Sequence, residues 1–291
     1  MPRIVTATVD GITFQASIFE AVSPKKACTL ICLPGGGASV EFFDLAPDFS
    51  LARRMSAKGY QVITMDHPGT ATNPLPDGHD FLNPRKAADY IAAILEQLDV
   101  GKSVIGIGHS MGGMVTTLIQ AKHRPFKALG LFGSSAGGLE WGLSDEEKAY
   151  IEKPDDFARD LEKLTLEKFG REFTEIPAGP SGRSITFGGE TPELTQRLRD
   201  VSCELFAAGG LMSMTRGSFR KEVEAIDVPI FFAFGDHDIG ITPEEAPKDY
   251  INAPSTELVV LENTGHNHFA FSSIETLCER LDYWASRSGS L

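Results

Sequence analysis

The sequence has little of what several large functional classes require. Basic residues are in the minority, with 27 Lys and Arg against 40 Asp and Glu and a formal net charge of −13. Nucleic-acid phosphates and anionic membrane surfaces both demand clustered Lys and Arg, so neither is an expected partner. Long apolar runs are missing, and none approaches the roughly 18 residues of a membrane span. The N-terminus, Met1-Pro2-Arg3-Ile4-Val5-Thr6, shows no basic stretch leading into an apolar signal core, and a cytoplasmic location is expected. Cysteine is scarce. Cys28, Cys32, Cys203 and Cys278 show no metal-ligand or Cys-x-x-Cys spacing, and they read as reduced thiols. Internal repeats at solenoid periods are also absent. No metal and no organic cofactor is implied. A small-molecule substrate is the expected partner.

What is present is a chain of 291 residues, 42% hydrophobic and 23% charged, as expected of a globular protein of one or two domains. Ile4–Val9 and Ile12–Phe19 flank Asp10-Gly11, a two-residue hairpin signal. Thr29–Leu33 is a continuous apolar run of the kind buried on both faces of a sheet, and it ends in Pro34-Gly35-Gly36-Gly37. Strands are expected again at Tyr60–Met65, Ser103–Gly108, Ala128–Phe132, Val228–Phe234 and Glu257–Leu261. Helices fit Leu51–Lys58, a stretch opened by Asn83-Pro84, Met111–His123, Glu244–Tyr250 and Ile274–Ala285. The alternation predicts an α/β fold, a mostly parallel twisted sheet with helices on both faces. From about Gly137 to Glu224 the rhythm breaks into charged, helix-like sequence, with loops at Ile176–Gly182 and Phe187–Pro192. The expected organisation is a core of residues 1–136 and 225–291 carrying a helical insertion at 137–224.

Gly108-His109-Ser110-Met111-Gly112-Gly113 matches Gly-x-Ser-x-Gly, with a strand entering and a helix leaving. A serine lifted on such a turn is a candidate nucleophile, and bulk two residues to either side would collide. A serine hydroxyl needs a base to take its proton. Of the seven histidines, His109 lies in the turn and is expected to point away from Ser110. His67, His79 and His237 sit in loops, and His123 closes a helix, where a cation suits the dipole. His266 and His268 follow the last strand. Gly265 permits a turn that returns His266 to the sheet edge, which leaves His268 as the spare. The acid that orients the base is Asp236 or Asp238, both after the Val228–Phe234 strand, with Glu140 a lesser candidate. The N–H of Met111 is the expected first oxyanion donor. The second is that of Gly36, or of Gly37 if the register slips by one.

With these residues in place, the chain resembles the α/β-hydrolase superfamily in its lidded serine esterase/lipase-like branch, over about residues 25–135 and 225–285. The Gly-His-Ser-Met-Gly-Gly turn is similar to the superfamily's nucleophile elbow. Gly235-x-x-Asp238 followed by Pro243 resembles its acid loop, which favours Asp238, and Thr264-Gly265-His266 resembles its histidine loop. The chain order of serine, acid and histidine agrees. Two motifs depart from the pattern. Pro34-Gly35 stands where His-Gly is common, and Asp66-His67-Pro68-Gly69-Thr70-Ala71-Thr72-Asn73 lacks a second glycine and a serine.

The resemblance implies a catalytic triad of Ser110, Asp238 and His266 that cleaves a small to medium carboxylic ester, thioester or lactone through an acyl-enzyme. The alternative is other chemistry on the same triad: carbon–carbon bond hydrolysis, acyl transfer, lyase chemistry or perhydrolysis. A non-catalytic binding protein is the remaining option. Because the nucleophile is serine, the aspartate-dependent dehalogenases and epoxide hydrolases are excluded. The insertion corresponds to the superfamily's cap, with Trp141, Phe206, Met212 and Met214 as expected substrate-facing residues. Simple packing of the cap onto the core competes with that role for its apolar side chains.

Overall fold

A computed structural model describes residues 2–22, 24–175, 188–240 and 242–288. The chain opens with β1 (Arg3–Val9) and β2 (Ile12–Phe19), an antiparallel hairpin. Asp10 (φ 52°) and Gly11 (φ 78°) both take the positive φ that a right-twisted two-residue turn requires. The first half continues through β3 (Cys28–Leu33), α1 (Leu51–Ala57), β4 (Gln61–Thr64), α2 (Pro84–Gln97), β5 (Ser103–His109), α3 (Met111–His123) and β6 (Ala128–Phe132). The start of α2 follows from its sequence. The Asn83 side chain accepts the Lys86 N–H, and Pro84 occupies the first turn, where no donor is needed.

Between β6 and the next long strand lie α4 (Asp145–Lys148), α5 (Pro154–Phe169), α6 (Pro192–Asp200), α7 (Ala207–Met214) and α8 (Arg220–Glu224). Two short strands, β7 (Phe173–Thr174) and β8 (Leu205–Phe206), pair with each other there and not with the main sheet. Of the loops expected in this stretch, residues 176–187 lie outside the described residues. Thr191 caps α6 by accepting the Leu194 N–H. The chain then returns through β9 (Ile230–His237), β10 (Thr256–Gly265) and α9 (Ile274–Ser288).

The main sheet has eight strands in the order β1-β2-β4-β3-β5-β6-β9-β10. Pairing is antiparallel from β1 through β4 and parallel from there on. β3 is buried along its whole length because both faces are covered. Ile31 and Leu33 enter the core shared with α2 and α3, whereas Leu30 and Cys32 enter the core shared with α1 and α9. Among the described residues, no helix is long and apolar enough to cross a membrane.

Three elements differ from the sequence expectation, the first two being β9 and β10, which runs on to Gly265 instead of ending at Leu261. The apolar run that marks β9 ends at Phe234, yet the strand reaches His237 because β10 re-pairs there, with Gly265 opposite His237 after a shift in register. The Asp236 carboxylate holds that shift by accepting the Asn263 and Thr264 N–H groups at 2.9 Å. The third is the helix expected at Glu244–Tyr250. It is a tighter 3-10 turn over Pro243–Asp249, since Pro247 has no N–H to continue an α-helix.

Candidate active site

The carboxyl ends of the parallel strands bring the candidate residues together, as is usual for open α/β sheets. Ser110 joins β5 to α3 with φ 52° and ψ −123°, a conformation that costs a non-glycine residue about 1–3 kcal/mol. Its neighbours enforce it. The Ser110 N–H donates to the Phe132 carbonyl at 2.8 Å, and the Ser110 carbonyl accepts from Gly113 N–H at 2.9 Å. The flanking glycines are needed for close approach. A Cβ on Gly108 would run into the Gly112 backbone, and one on Gly112 would strike the carbonyls of Leu33 and Pro34.

The loop Pro34-Gly35-Gly36-Gly37 lies directly over this turn. A Cβ on Gly35 would sit 3.2 Å from Ser110 Cβ, and one on Gly36 would sit 3.6 Å from Met111 Sδ. Two residues after β4 hold the loop at either end. His67 donates from Nε2 to the Pro34 carbonyl at 2.8 Å, while Asp66 accepts the Val40 N–H at 2.7 Å and the Thr72 hydroxyl at 2.6 Å. Burial pushes the His67 imidazole down to about 4 against a smaller opposing pull from the Pro34 carbonyl, so it is neutral at neutral pH. Sequence reasoning gave neither residue a role. Their position just past the carboxyl end of a buried strand was the available signal.

Asp238 lies one residue beyond β9 and His266 one residue beyond β10. His266 Nδ1 donates to Asp238 Oδ1 at 2.6 Å, and the two side chains are 8% and 3% exposed. A carboxylate only accepts, so the proton on His266 sits on Nδ1 and leaves Nε2 as the acceptor. Burial pushes the Asp238 carboxyl up, but the imidazoles of His266 and His268 outweigh it and hold the group well below the usual carboxylate range. Gly133, at φ 55°, makes room for the pair, since a Cβ there would come within 3.0 Å of His266 Nδ1. Asp236 is instead tied to the β10 backbone, and Glu140 is half exposed beside Arg216.

The remaining histidines separate clearly. His109 turns away from the serine and donates from Nε2 to the His266 carbonyl at 2.8 Å, with its ring 4.7 Å from that of His266. Burial and the two neighbouring imidazoles hold His109 well below its ordinary value. His123 pairs with Asp89 at 2.7 Å, and His237 is largely exposed. His268 is fully buried and donates to Asp238 Oδ2 at 2.8 Å, a contact that no periodicity or spacing announces.

Ser110, Met111 and His266 open onto one cavity of about 30 Å³. Ser134, Ser135 and Ser213 form its polar wall, and Leu139, Phe234 and Ile239 its apolar wall. None of Trp141, Phe206, Met212 and Met214 lines it. Trp141 is 47% exposed, Phe206 stacks on Phe173 at 5.8 Å, and Met212 is sealed in the core. Met214 is half-buried beside Gly142. These placements follow from helical geometry. On α7, residues 212 and 214 point about 100° to either side of residue 213, so the turn that presents Ser213 to the cavity aims both methionines elsewhere. Among the described residues, no group of three or more His, Cys, Asp or Glu is arranged to hold a metal ion.

The model of the Alpha/beta hydrolase family matches residues 30–276. The chain belongs to that family. AB hydrolase superfamily protein YisY of Bacillus subtilis (strain 168) is 24% identical over 225 residues, covering 73% of this chain and 76% of the relative. Among solved structures, DcsB in complex with its substrate analogue superposes with a TM-score of 0.69 at 15% identity, covering 100% of both chains. A thermophilic esterase from Thermogutta terrifontis superposes with a TM-score of 0.66 at 17% identity, covering 99% of each. At these identities the structural likeness establishes the α/β-hydrolase fold, and the chemistry must be argued from the site.

Proposed function

We propose that this α/β hydrolase is a serine hydrolase that cleaves a small to medium carboxylic ester, thioester or lactone through an acyl-enzyme. One observation carries the reading: His266, paired at 2.6 Å with the buried Asp238, opens onto the same cavity as Ser110. In this reading Ser110 Oγ attacks the substrate carbonyl carbon and His266 Nε2 takes the hydroxyl proton. Asp238 fixes the tautomer and stabilises the imidazolium. The oxyanion receives N–H groups from Met111 and from Gly36, or from Gly37 one residue on, each worth about 3–4 kcal/mol in the transition state. When the tetrahedral adduct collapses, the imidazolium proton passes to the leaving alkoxide or thiolate. Water, deprotonated by the same imidazole, then releases the acyl group.

The cavity lining supports a neutral carbonyl substrate, because among the described residues it contains no Lys, Arg, Asp or Glu. Residues 137–224 act in this reading as a lid on the core of 1–136 and 225–291, and they supply Gly138, Leu139 and Ser213 to the cavity. The test is a panel of p-nitrophenyl esters from acetate to octanoate, followed by intact mass spectrometry. Turnover of the shorter esters with a transient acyl adduct is expected. An adduct that forms but turns over slowly would redirect the reading to acyl transfer or carbon–carbon cleavage, and no adduct with any ester would contradict it.

A further inference from the structure

The acid loop holds an unusual arrangement, in which one carboxylate carries two imidazoles. Asp238 Oδ1 accepts from His266 Nδ1 at 2.6 Å and from the Ile239 N–H at 2.7 Å. Asp238 Oδ2 accepts from His268 Nε2 at 2.8 Å, with the Gly235 N–H at a marginal 3.3 Å. His268 is therefore the principal donor to the second oxygen. Its own Nδ1 is buried with no hydrogen-bond partner among the described residues. As mere core filling this residue is a poor choice, since an apolar side chain would leave no orphaned nitrogen. The orphan also fixes the tautomer, because the proton must sit on Nε2 to meet the carboxylate. The chain reaches this geometry through a tight turn, in which the His268 N–H donates to the His266 carbonyl at 3.1 Å and a single 3-10 turn follows.

We propose that His268 is a positioning residue for the reaction at Ser110: by holding Oδ2 it stops the Asp238 carboxylate from rotating, so that Oδ1 stays aimed at His266 Nδ1. The proposal rests on the serine-hydrolase reading above. It carries an electrostatic consequence. A donor on Oδ2 draws negative charge away from the carboxylate, which tempers how strongly Asp238 stabilises the His266 imidazolium. The titratable groups packed against His268 are Asp238 beyond β9, His266 on its own loop and His109 at the end of β5, 5.5 Å away edge-on.

The experiment compares His268→Leu with His268→Gln, whose carboxamide N–H reaches towards the same oxygen. For p-nitrophenyl acetate the leucine variant loses kcat by roughly 10–100-fold, the value of a hydrogen bond to a buried charge, with KM little changed. Its acid limb of kcat/KM moves to higher pH, because the stripped carboxylate favours the imidazolium more. The glutamine variant recovers most of kcat and returns the acid limb towards its original place. A folded leucine variant with wild-type kcat and an unmoved acid limb overturns the proposal, as does a glutamine variant as impaired as leucine. The bond itself is read without turnover. Wild type labelled with 15N-histidine shows a downfield imidazole N–H resonance of His268 beside those of His266, His109 and His67, and the glutamine variant lacks that one alone, whereas a wild type without a His268 resonance overturns the proposal even if the leucine variant does not fold. If wild type shows the His268 resonance but forms no serine adduct, the catalytic reading fails and the bond stands.

Discussion

Helix α3 is buried from Met111 through Gln120, whereas α5 in the 137–224 segment buries only Phe157, Leu161, Leu164 and Thr165 of its sixteen residues. The contrast separates two kinds of constraint. The N-terminus of α3 meets β3, β5 and the glycine loop backbone to backbone, so a single added carbon there has nowhere to go. The outer face of α5 is dressed in exposed ion pairs such as Arg159 with Asp156 and Asp160, which contribute little. The core beside Ser110 is therefore fixed atom by atom, and the segment above it is free to vary as long as its buried stripe is kept.

Five expected outcomes sharpen that contrast, or break it. The largest lies at the acid. Asp238→Asn lowers kcat by about 10⁴-fold with little loss of fold, by disturbing the tautomer of His266. Activity within tenfold of wild type would remove the acid from the account. Next, Gly112→Ala costs about 3 kcal/mol, the upper end of overpacking, because its new methyl faces only backbone. Gly142→Ala in the insertion meets only the flexible Met214 sulfur at 2.9 Å and costs less than about 1 kcal/mol. Equal losses in urea unfolding would erase the distinction between the regions.

Third is a pH effect. Burial holds the folded His67 imidazole at about 4, below its ordinary value of 6.5, so the unfolded chain takes up this proton first as pH falls. The stability it contributes is complete above the unfolded value and is lost between there and the folded value, amounting to about 3 kcal/mol. His67→Gln flattens this part of the stability–pH curve, and an unchanged slope contradicts it. Fourth, Ser213→Val shifts the preference between acetyl and longer acyl esters by about 10-fold through the cavity wall, which a graded ester series measures as kcat/KM. The smallest is Arg159→Ala on α5, expected to change stability by less than about 0.5 kcal/mol in the same urea assay.

Much of the fold was legible because its signals are local. Asp10-Gly11 specifies its hairpin, Asn83-Pro84 starts α2, and the apolar run Thr29–Leu33, bounded by Pro34-Gly35, reads as a strand covered on both faces. The turn at Ser110 was legible for the same reason, since its glycines sit at fixed offsets from the serine. Choosing Asp238 over Asp236 needed the resemblance to a family. Both residues follow the same strand, and only the packing shows that one reaches His266 while the other pins β10. The contacts of His268, His67 and Ser213 were beyond reach, although His268 was marked as a spare base and His67 by its place past a buried strand. Each takes its place from how separate segments meet, and no pattern within one segment encodes that.

The central claim is that Ser110 is the nucleophile. A fluorophosphonate probe incubated with the protein and mapped by peptide mass spectrometry tests it most directly. The account predicts one covalent adduct, on Ser110, that is absent from Ser110→Ala and greatly slowed in His266→Ala. A wild type that takes up no label, or a Ser110→Ala variant labelled as fully as wild type, would contradict it.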